Sequence, residues 1–323
     1  MDIYVKKAII HQFSPDDTDL YLADKFLNIT PKIEEYLRKK IERVYSDEAR
    51  TGIFEEDNPF LEMISDDLLE TSVAVANRWK EEFVVSENQK TNDLVFVQFS
   101  KEGVEHFAFL RIALRETLTH LGGEVDNPIK LTQNNLPGFG TGADEALVIN
   151  LQSRKYHLIE KRIKYNGTFL NYFSENLLQA QPKISPKKSI KALEKTAQKI
   201  AESFNTDDFQ FQSKVKSAIF NHIEEENKLS PEKLADDLFD DNLTARLSFI
   251  DQVKEAVPEP VTFEEIDASR QLKKFENQKL SLSNGIELIV PNNVYEDAES
   301  VEFILNDNGT YSILIKNIED IQS

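Results

Sequence analysis

Apolar and polar residues alternate from Val5 to Phe13, which predicts a strand, and Asp19 to Asn28 reads as its partner across the Ser14-Pro15-Asp16-Asp17 turn. Thr30-Pro31 marks a helix start, with Thr at the cap, Pro in the first turn and Ile33, Leu37, Ile41 and Val44 as the buried stripe. A second helical stretch runs from about Asp66 to Phe83. Leu94 to Phe99 and His106 to Leu114 are apolar and aromatic-rich on either side of Lys101-Glu102-Gly103, the pattern of a second hairpin. Ala146 to Leu151 and Tyr156 to Ile163 follow as further strands.

After Gly167 the periodicity changes to that of helices. It predicts an aromatic-rich helix from Phe169 to Leu178, a long one from Ser185-Pro186 to about Phe204, and a third from Phe209 to Glu225. Ser230-Pro231 starts a fourth, continued through Leu234, Leu238 and Leu243 to Val253, and Pro258-Glu259-Pro260 closes the helical block. Ile286 to Val290, Val301 to Leu305 and Tyr311 to Ile315 are short β-branched runs, the last two joined by Asn306-Asp307-Asn308-Gly309. Strands and helices come in blocks, so the expected fold class is α+β. The expected division is an N-terminal α+β domain over 1–165 and a mainly helical domain with a C-terminal β-hairpin over 166–323.

Composition narrows the function classes. With 40% hydrophobic and 29% charged residues in 323, the chain has ordinary globular composition and room for a sizeable core. The absence of cysteine excludes disulfides, thiolate zinc sites and a cysteine nucleophile, and fits a reducing, cytosolic compartment. The opening Met1-Asp2-Ile3-Tyr4-Val5-Lys6-Lys7 has no signal-peptide pattern, and no apolar run reaches transmembrane length, so neither secretion nor a membrane partner is expected.

The formal charge of −19 argues against nucleic acid only if it is evenly spread, because phosphate binding depends on local clusters of Lys and Arg. It is not. Residues 1–151 carry a net −12, residues 152–199 a net +8, residues 200–223 a net −1, and residues 224–323 a net −14. Within the basic segment, helical geometry places Lys188, Lys191, Lys195 and Lys199 within roughly 80° of arc, opposite Ile190, Leu193, Ala197, Ile200 and Phe204. Lys187 and Lys188 fall in the first turn, where the helix dipole favours acidic residues, a conflict that a bound phosphate would relieve. Upstream, Lys161, Arg162 and Lys164 give the end of a strand the same basic character. These eight residues, Lys161, Arg162, Lys164, Lys187, Lys188, Lys191, Lys195 and Lys199, are the candidate nucleic-acid contacts. The bland alternative is a solvated lysine face on a surface helix. Because Lys is a point charge and not a bidentate reader of guanine edges, binding through this segment would have little sequence preference.

Other constellations carry less. Gly138-Phe139-Gly140-Thr141-Gly142 has the glycines of a phosphate loop, but strand and not helix follows it, so it reads as a loop entering a strand. His11, His106, His120, His157 and His222 show no metal-ligand spacing. The acidic runs Asp16-Asp17-Asp19, Glu55-Glu56-Asp57 and Glu224-Glu225-Glu226 read as solvated loops and helix ends in a chain with 57 carboxylates. No catalytic, metal or cofactor-binding residue is nominated, and an enzyme reading has nothing to stand on.

Several segments, in order along the chain, resemble the bacterial nucleoid-associated protein family of 37 kDa. They are Ala8-Ile9-Ile10-His11-Gln12, Arg43-Val44-Tyr45-Ser46 followed by Gly52-Ile53-Phe54, and Ala143-Asp144. Lys161-Arg162 before Phe169-Leu170-Asn171-Tyr172-Phe173, then Val261-Thr262-Phe263-Glu264-Glu265 and Gly285-Ile286-Glu287-Leu288, complete the series. The resemblance implies a cytoplasmic, nucleoid-localised protein that binds double-stranded DNA, without catalysis and without a cofactor. It supplies no recognised set of DNA-contacting residues. The main rival is an acidic interaction module that docks on DNA-processing proteins or mimics DNA electrostatically. A metal-dependent nuclease is a distant third. A homodimer would double the basic surface, though no sequence feature requires one.

Overall fold

A computed structural model describes residues 2–16, 18–84, 90–120, 129–165, 167–205, 209–263 and 265–320. The chain divides into two compact units, Met1–Ser185 and Pro186–Ser323, each with its own core. Asp17 and Glu264, which take part in an expected turn and a family segment, lie outside the described residues.

The first unit contains β1 (Ile3–Ser14), β2 (Asp19–Tyr21), β3 (Arg50–Ile53), β4 (Asn92–Lys101), β5 (Val104–Ala113), β6 (Arg115–His120), β7 (Ile129–Asn135), β8 (Glu145–Asn150), β9 (Lys155–Ile159), β10 (Ile163–Tyr165) and β11 (Thr168–Leu170). Its helices are α1 (Pro31–Glu42), α2 (Pro59–Glu62) and α3 (Leu68–Phe83). Among the described residues, seven strands form one antiparallel sheet in the order β2-β1-β4-β5-β8-β9-β3. Helix α3 covers one face, over Leu94, Phe96, Phe107, Phe109, Leu147 and Ile149. Helix α1 covers the other, over Val95, Val97, Phe99, Ala108, Leu110 and Val148. Burial on both faces explains why β4 reads as an almost unbroken apolar run and not as an alternation.

Local signals act as expected at several ends. Thr30 caps α1, its Oγ1 accepting from the Ile33 N–H at 3.4 Å. Asp67 caps α3 in the same way through the Leu69 N–H at 2.9 Å, so this helix starts at Leu68. Lys101 pairs with Val104, leaving Glu102 (φ 52°) and Gly103 (φ 82°) as a two-residue turn with positive φ at both positions. The opening hairpin is shorter than its pattern predicts: β2 ends at Tyr21, and β1 makes its long pairing with β4 instead.

Gly52, part of the family-like Gly52-Ile53-Phe54, sits opposite Tyr156 across β3 and β9. A Cβ there would lie 2.3 Å from the phenol oxygen of Tyr156, which is fully buried. Gly52→Ala is therefore expected to cost about 2 to 3 kcal/mol through overpacking. Urea unfolding reads it directly, and an unchanged midpoint would show that Tyr156 moves aside freely.

The aromatic helix expected from Phe169 to Leu178 does not form. Thr168–Leu170 pairs with Ile163–Tyr165 as a hairpin, and Phe173–Leu177 makes one π-helical turn. Tyr172, Phe173, Leu177 and Leu178 are drawn into the sheet's core beside Trp79 and Phe83, while Phe169 points out, so the helical spacing of the aromatics is overridden by packing. The same packing moves the division of the chain from 165/166 to 185/186. Asn58 Nδ2 donates to the Leu178 carbonyl at 3.0 Å, Lys183 N–H to the Thr51 carbonyl at 2.8 Å, and Arg50 to the Pro182 carbonyl at 2.9 Å and to Glu160. Residues 166–185 are thus part of the first unit.

The second unit contains α4 (Pro186–Ser203), α5 (Phe209–Glu226), β12 (Lys228–Leu229), α6 (Pro231–Leu238), α7 (Leu243–Ala256), β13 (Val261–Thr262), α8 (Ser269–Phe275), β14 (Asn277–Ser281), β15 (Glu287–Pro291), α9 (Asn292–Tyr295), β16 (Val301–Leu305) and β17 (Tyr311–Ile315). Its core gathers Ile190, Leu193, Ile219, Leu234, Phe249 and Phe275 from five helices. Ser230 caps α6 through the Lys233 N–H at 3.4 Å. The strands near the C-terminus form two separate two-stranded sheets, β14-β15 and β16-β17. The mixture of helices and antiparallel sheets makes the fold class α+β.

Candidate nucleic-acid interface

The eight basic candidates fall on two different units. Lys161, Arg162 and Lys164 flank or belong to the β10-β11 hairpin of the first, and Lys187, Lys188, Lys191, Lys195 and Lys199 belong to α4 of the second. Both units are acidic overall, at −8 and −11, which makes a local basic surface on either one an exception to its surroundings.

Helix α4 has the amphipathic form that its spacing predicts. Ile190, Leu193, Ala197 and Ile200 are buried, and all five lysines are exposed. Lys188, Lys191 and Lys195 have no hydrogen-bond or ion-pair partner among the described residues, and Lys199 donates to a neutral acceptor, Gln252 Oε1, at 3.1 Å. The carboxylate of Glu194 is turned aside toward Lys274 at 3.5 Å. Glu202 closes the stripe at its C-terminal end, where it accepts from Gln198 Nε2 at 3.1 Å. From Lys188 to Lys199 the stripe runs about 16 Å along the helix axis.

The three upstream residues differ from one another. Lys161 Nζ lies 2.7 Å from Asp144 Oδ1, so its charge is already matched. Burial pushes the Asp144 carboxyl up, but the hydrogen bonds from Lys161 and the Ala113 N–H, with the charges of Lys161 and Arg111, hold it below the usual range. Arg162 donates to the Phe169 carbonyl at 3.1 Å and lies over the Phe169 ring at 6.0 Å. Lys164 is exposed and stands directly opposite Phe169 in the hairpin register.

A buried polar network fixes where this hairpin leaves the core. Glu145, fully buried, accepts from Arg111 Nε at 2.6 Å and from the Tyr172 hydroxyl, and the Lys161 N–H makes a longer contact to it at 3.5 Å. Arg111 also donates to Asn92 Oδ1 at 2.9 Å, and Trp79 Nε1 donates to the Tyr172 oxygen at 3.0 Å. Burial, with the Glu145 charge, pushes the Tyr172 phenol well above its ordinary value. Lys161 precedes β10 and Tyr172 follows β11, so one carboxylate holds both feet of the hairpin. Sequence patterns give no sign of this network, because its members are scattered over residues 79–172.

The Gly138–Gly142 loop has the wrong polarity for a phosphate. Its carbonyls point at a cation of the chain itself: the buried Lys40 ammonium donates to Pro137 at 3.3 Å, to Gly138 at 2.9 Å and to Thr141. An anion cradle presents N–H groups instead. Burial, reinforced by the charges of Arg43 and Arg115, lowers the Lys40 ammonium to about 8.

His11 is likewise structural. The Ala23 N–H donates to its Nδ1 at 3.0 Å, which leaves the proton on Nε2 to donate to Ser72 Oγ at 3.0 Å. Burial lowers its pKa to about 4. A histidine of depressed pKa stabilises the fold fully above the unfolded value of about 6.5, and that contribution is lost as pH falls toward 4. Going from pH 7 to pH 5 should remove on the order of 2 kcal/mol. Denaturant unfolding at the two pH values, for wild type and His11→Gln, tests this; an equal pH dependence in both would assign the loss to other groups. Among the described residues, no group of three or more His, Asp or Glu side chains is placed to hold a metal ion, and no helix is long and apolar enough to cross a membrane.

The family model for NA37, described as nucleoid-associated protein YejK, matches residues 9–321, nearly the whole chain. The chain belongs to this nucleoid-associated protein family. No curated protein matches it. The family match extends through both units, so both are part of the nucleoid-associated architecture.

Proposed function

We propose that the protein binds double-stranded DNA with little sequence preference, without catalysing a reaction, and that the lysine stripe of α4 is the principal phosphate contact. The observation that carries this is the set Lys188, Lys191 and Lys195: three exposed ammonium groups in register, without a carboxylate partner among the described residues, in a chain of charge −19. Elsewhere lysines such as Lys6, Lys39, Lys214 and Lys233 are paired with acids. Leaving three adjacent ones unpaired is the arrangement that phosphate binding uses. Lys199 extends the row, Lys187 adds charge to the first turn, and Lys161, Arg162 and Lys164 supply a second, weaker contact. Four lysines on phosphates would give a slope of log K against log salt of about −3 to −4.

A second reading has its own support. Glu225, Glu226, Asp236, Asp237 and Glu296 line one groove of the second unit, with Lys214 and Lys233 as its basic members. Such a surface suits a basic partner protein, as in docking on DNA-processing enzymes. An anisotropy titration of purified protein against a fluorescent duplex at several salt concentrations separates the two. Salt-sensitive binding supports direct DNA contact; no binding even at low salt would leave docking as the role.

A further inference from the structure

We propose that the β10-β11 hairpin is a base-contacting wedge, with Phe169 stacking on an exposed base face while Arg162 and Lys164 hold the neighbouring phosphates. The inference rests on the DNA-binding reading above. Two cross-strand pairs define the hairpin's faces. Ile163 and Leu170, opposite each other, are partly buried and pack on the core of the first unit. Lys164 and Phe169, the next pair, face away from it, and Phe169 is 56% exposed. The two strands are three residues each and Tyr165 pairs with Thr168, so the ribbon is short and its outward pair stands next to its last pair.

A single exposed phenylalanine needs no explanation by itself. What distinguishes Phe169 is its setting. Residues 161–170 hold Lys161, Arg162 and Lys164 and no carboxylate, inside a unit of net charge −8. The ring has a guanidinium over it at 6.0 Å and an exposed ammonium across the strand. An aromatic ring between cations matches a base between phosphates, and stacking of this kind is tolerant of sequence. Glu145 holds the hairpin's two feet through Lys161 and Tyr172, which makes it a supported projection on a packed sheet.

Bases in an intact duplex are stacked on one another, so the wedge predicts a preference for DNA in which a base is already open. The test compares a plain duplex with the same duplex carrying a two-nucleotide bulge, by anisotropy at one moderate salt concentration, with 2-aminopurine in the bulge as a stacking reporter. Wild type should bind the bulged duplex about tenfold more tightly and quench the reporter. Phe169→Ala, at an exposed site, should keep its melting temperature and its affinity for plain duplex, yet lose both the preference and the quenching. Phe169→Trp should restore them. Equal affinity of wild type for the two duplexes, or a preference that survives Phe169→Ala, would overturn the wedge and leave the α4 contact standing. Failure to bind either duplex would overturn the DNA-binding reading and the wedge together.

Discussion

Replacing Lys188, Lys191 and Lys195 together by glutamate should lower the affinity for duplex DNA by about a hundredfold near 0.1 M salt and flatten the salt dependence by about three contacts. Each of these lysines is exposed and lacks a carboxylate partner among the described residues, so its removal breaks no ion pair described there. Wild-type thermal stability should therefore be retained. The decisive control is a triple variant with the same change of net charge at exposed lysines elsewhere on the second unit, Lys228→Glu, Lys254→Glu and Lys273→Glu. If the whole-molecule field set the affinity, the two triples would fall equally. If the stripe is the contact, only the first falls steeply, because charges more than about 10 Å from a phosphate are largely screened at this salt. Equal losses in the two variants would remove α4 from the interface.

Replacing Glu145 by alanine should cost about 3 to 5 kcal/mol, the largest loss of stability expected from any single exchange considered. The reason is the partner left behind. Arg111 is 7% exposed and would keep its charge with only Asn92 to accept from it, while the buried Tyr172 hydroxyl would lose its acceptor. Removing both charges with apolar residues of similar volume, Arg111→Met with Glu145→Leu, should restore much of the loss, since the penalty lies in the unpaired ion and not in the missing pair. Chemical denaturation of the three variants decides it. A double variant as unstable as Glu145→Ala would mean that the hydrogen bonds to Tyr172 and Lys161 carry the stability. Hydrogen exchange adds a local reading: loosening at Lys161 and Tyr172 should raise exchange throughout residues 161–172 before it spreads through the sheet.

Much of the architecture is legible in the chain because several local signals agree. Thr30-Pro31 and Ser230-Pro231 are helix starts whose caps form as their residue types require. The lysine and apolar faces of α4 follow from spacing alone. Elements decided by tertiary packing are harder to see. β3 is four residues whose sense lies in Gly52 making room for Tyr156, and α8 and β14, SRQLKKF and NQKLS, have too few apolar residues to show a period. The 169–178 segment shows a helical aromatic spacing that the sheet's core overrides. At the candidate interface, charge counting marks a basic stretch of chain, yet it cannot tell Lys161, already matched by Asp144, from Lys188, which has no ion-pair partner among the described residues. Nor does it single out Phe169, whose exposure depends on a hairpin where the periodicity predicts a helix.

The order of strands in the first sheet also governs how the protein is born. β1 pairs with β4, and β3 waits for β9 about a hundred residues further along, while the core closes only with Tyr172, Phe173 and Leu177. Such long-range pairing means high contact order and slow folding, with apolar edges open in the meantime. On the ribosome, this unit therefore cannot complete itself until the chain has passed Pro182 and Lys183, which bond back to Arg50 and Thr51. The π-helical turn at Phe173–Leu177 is thus among the last pieces of the core to emerge.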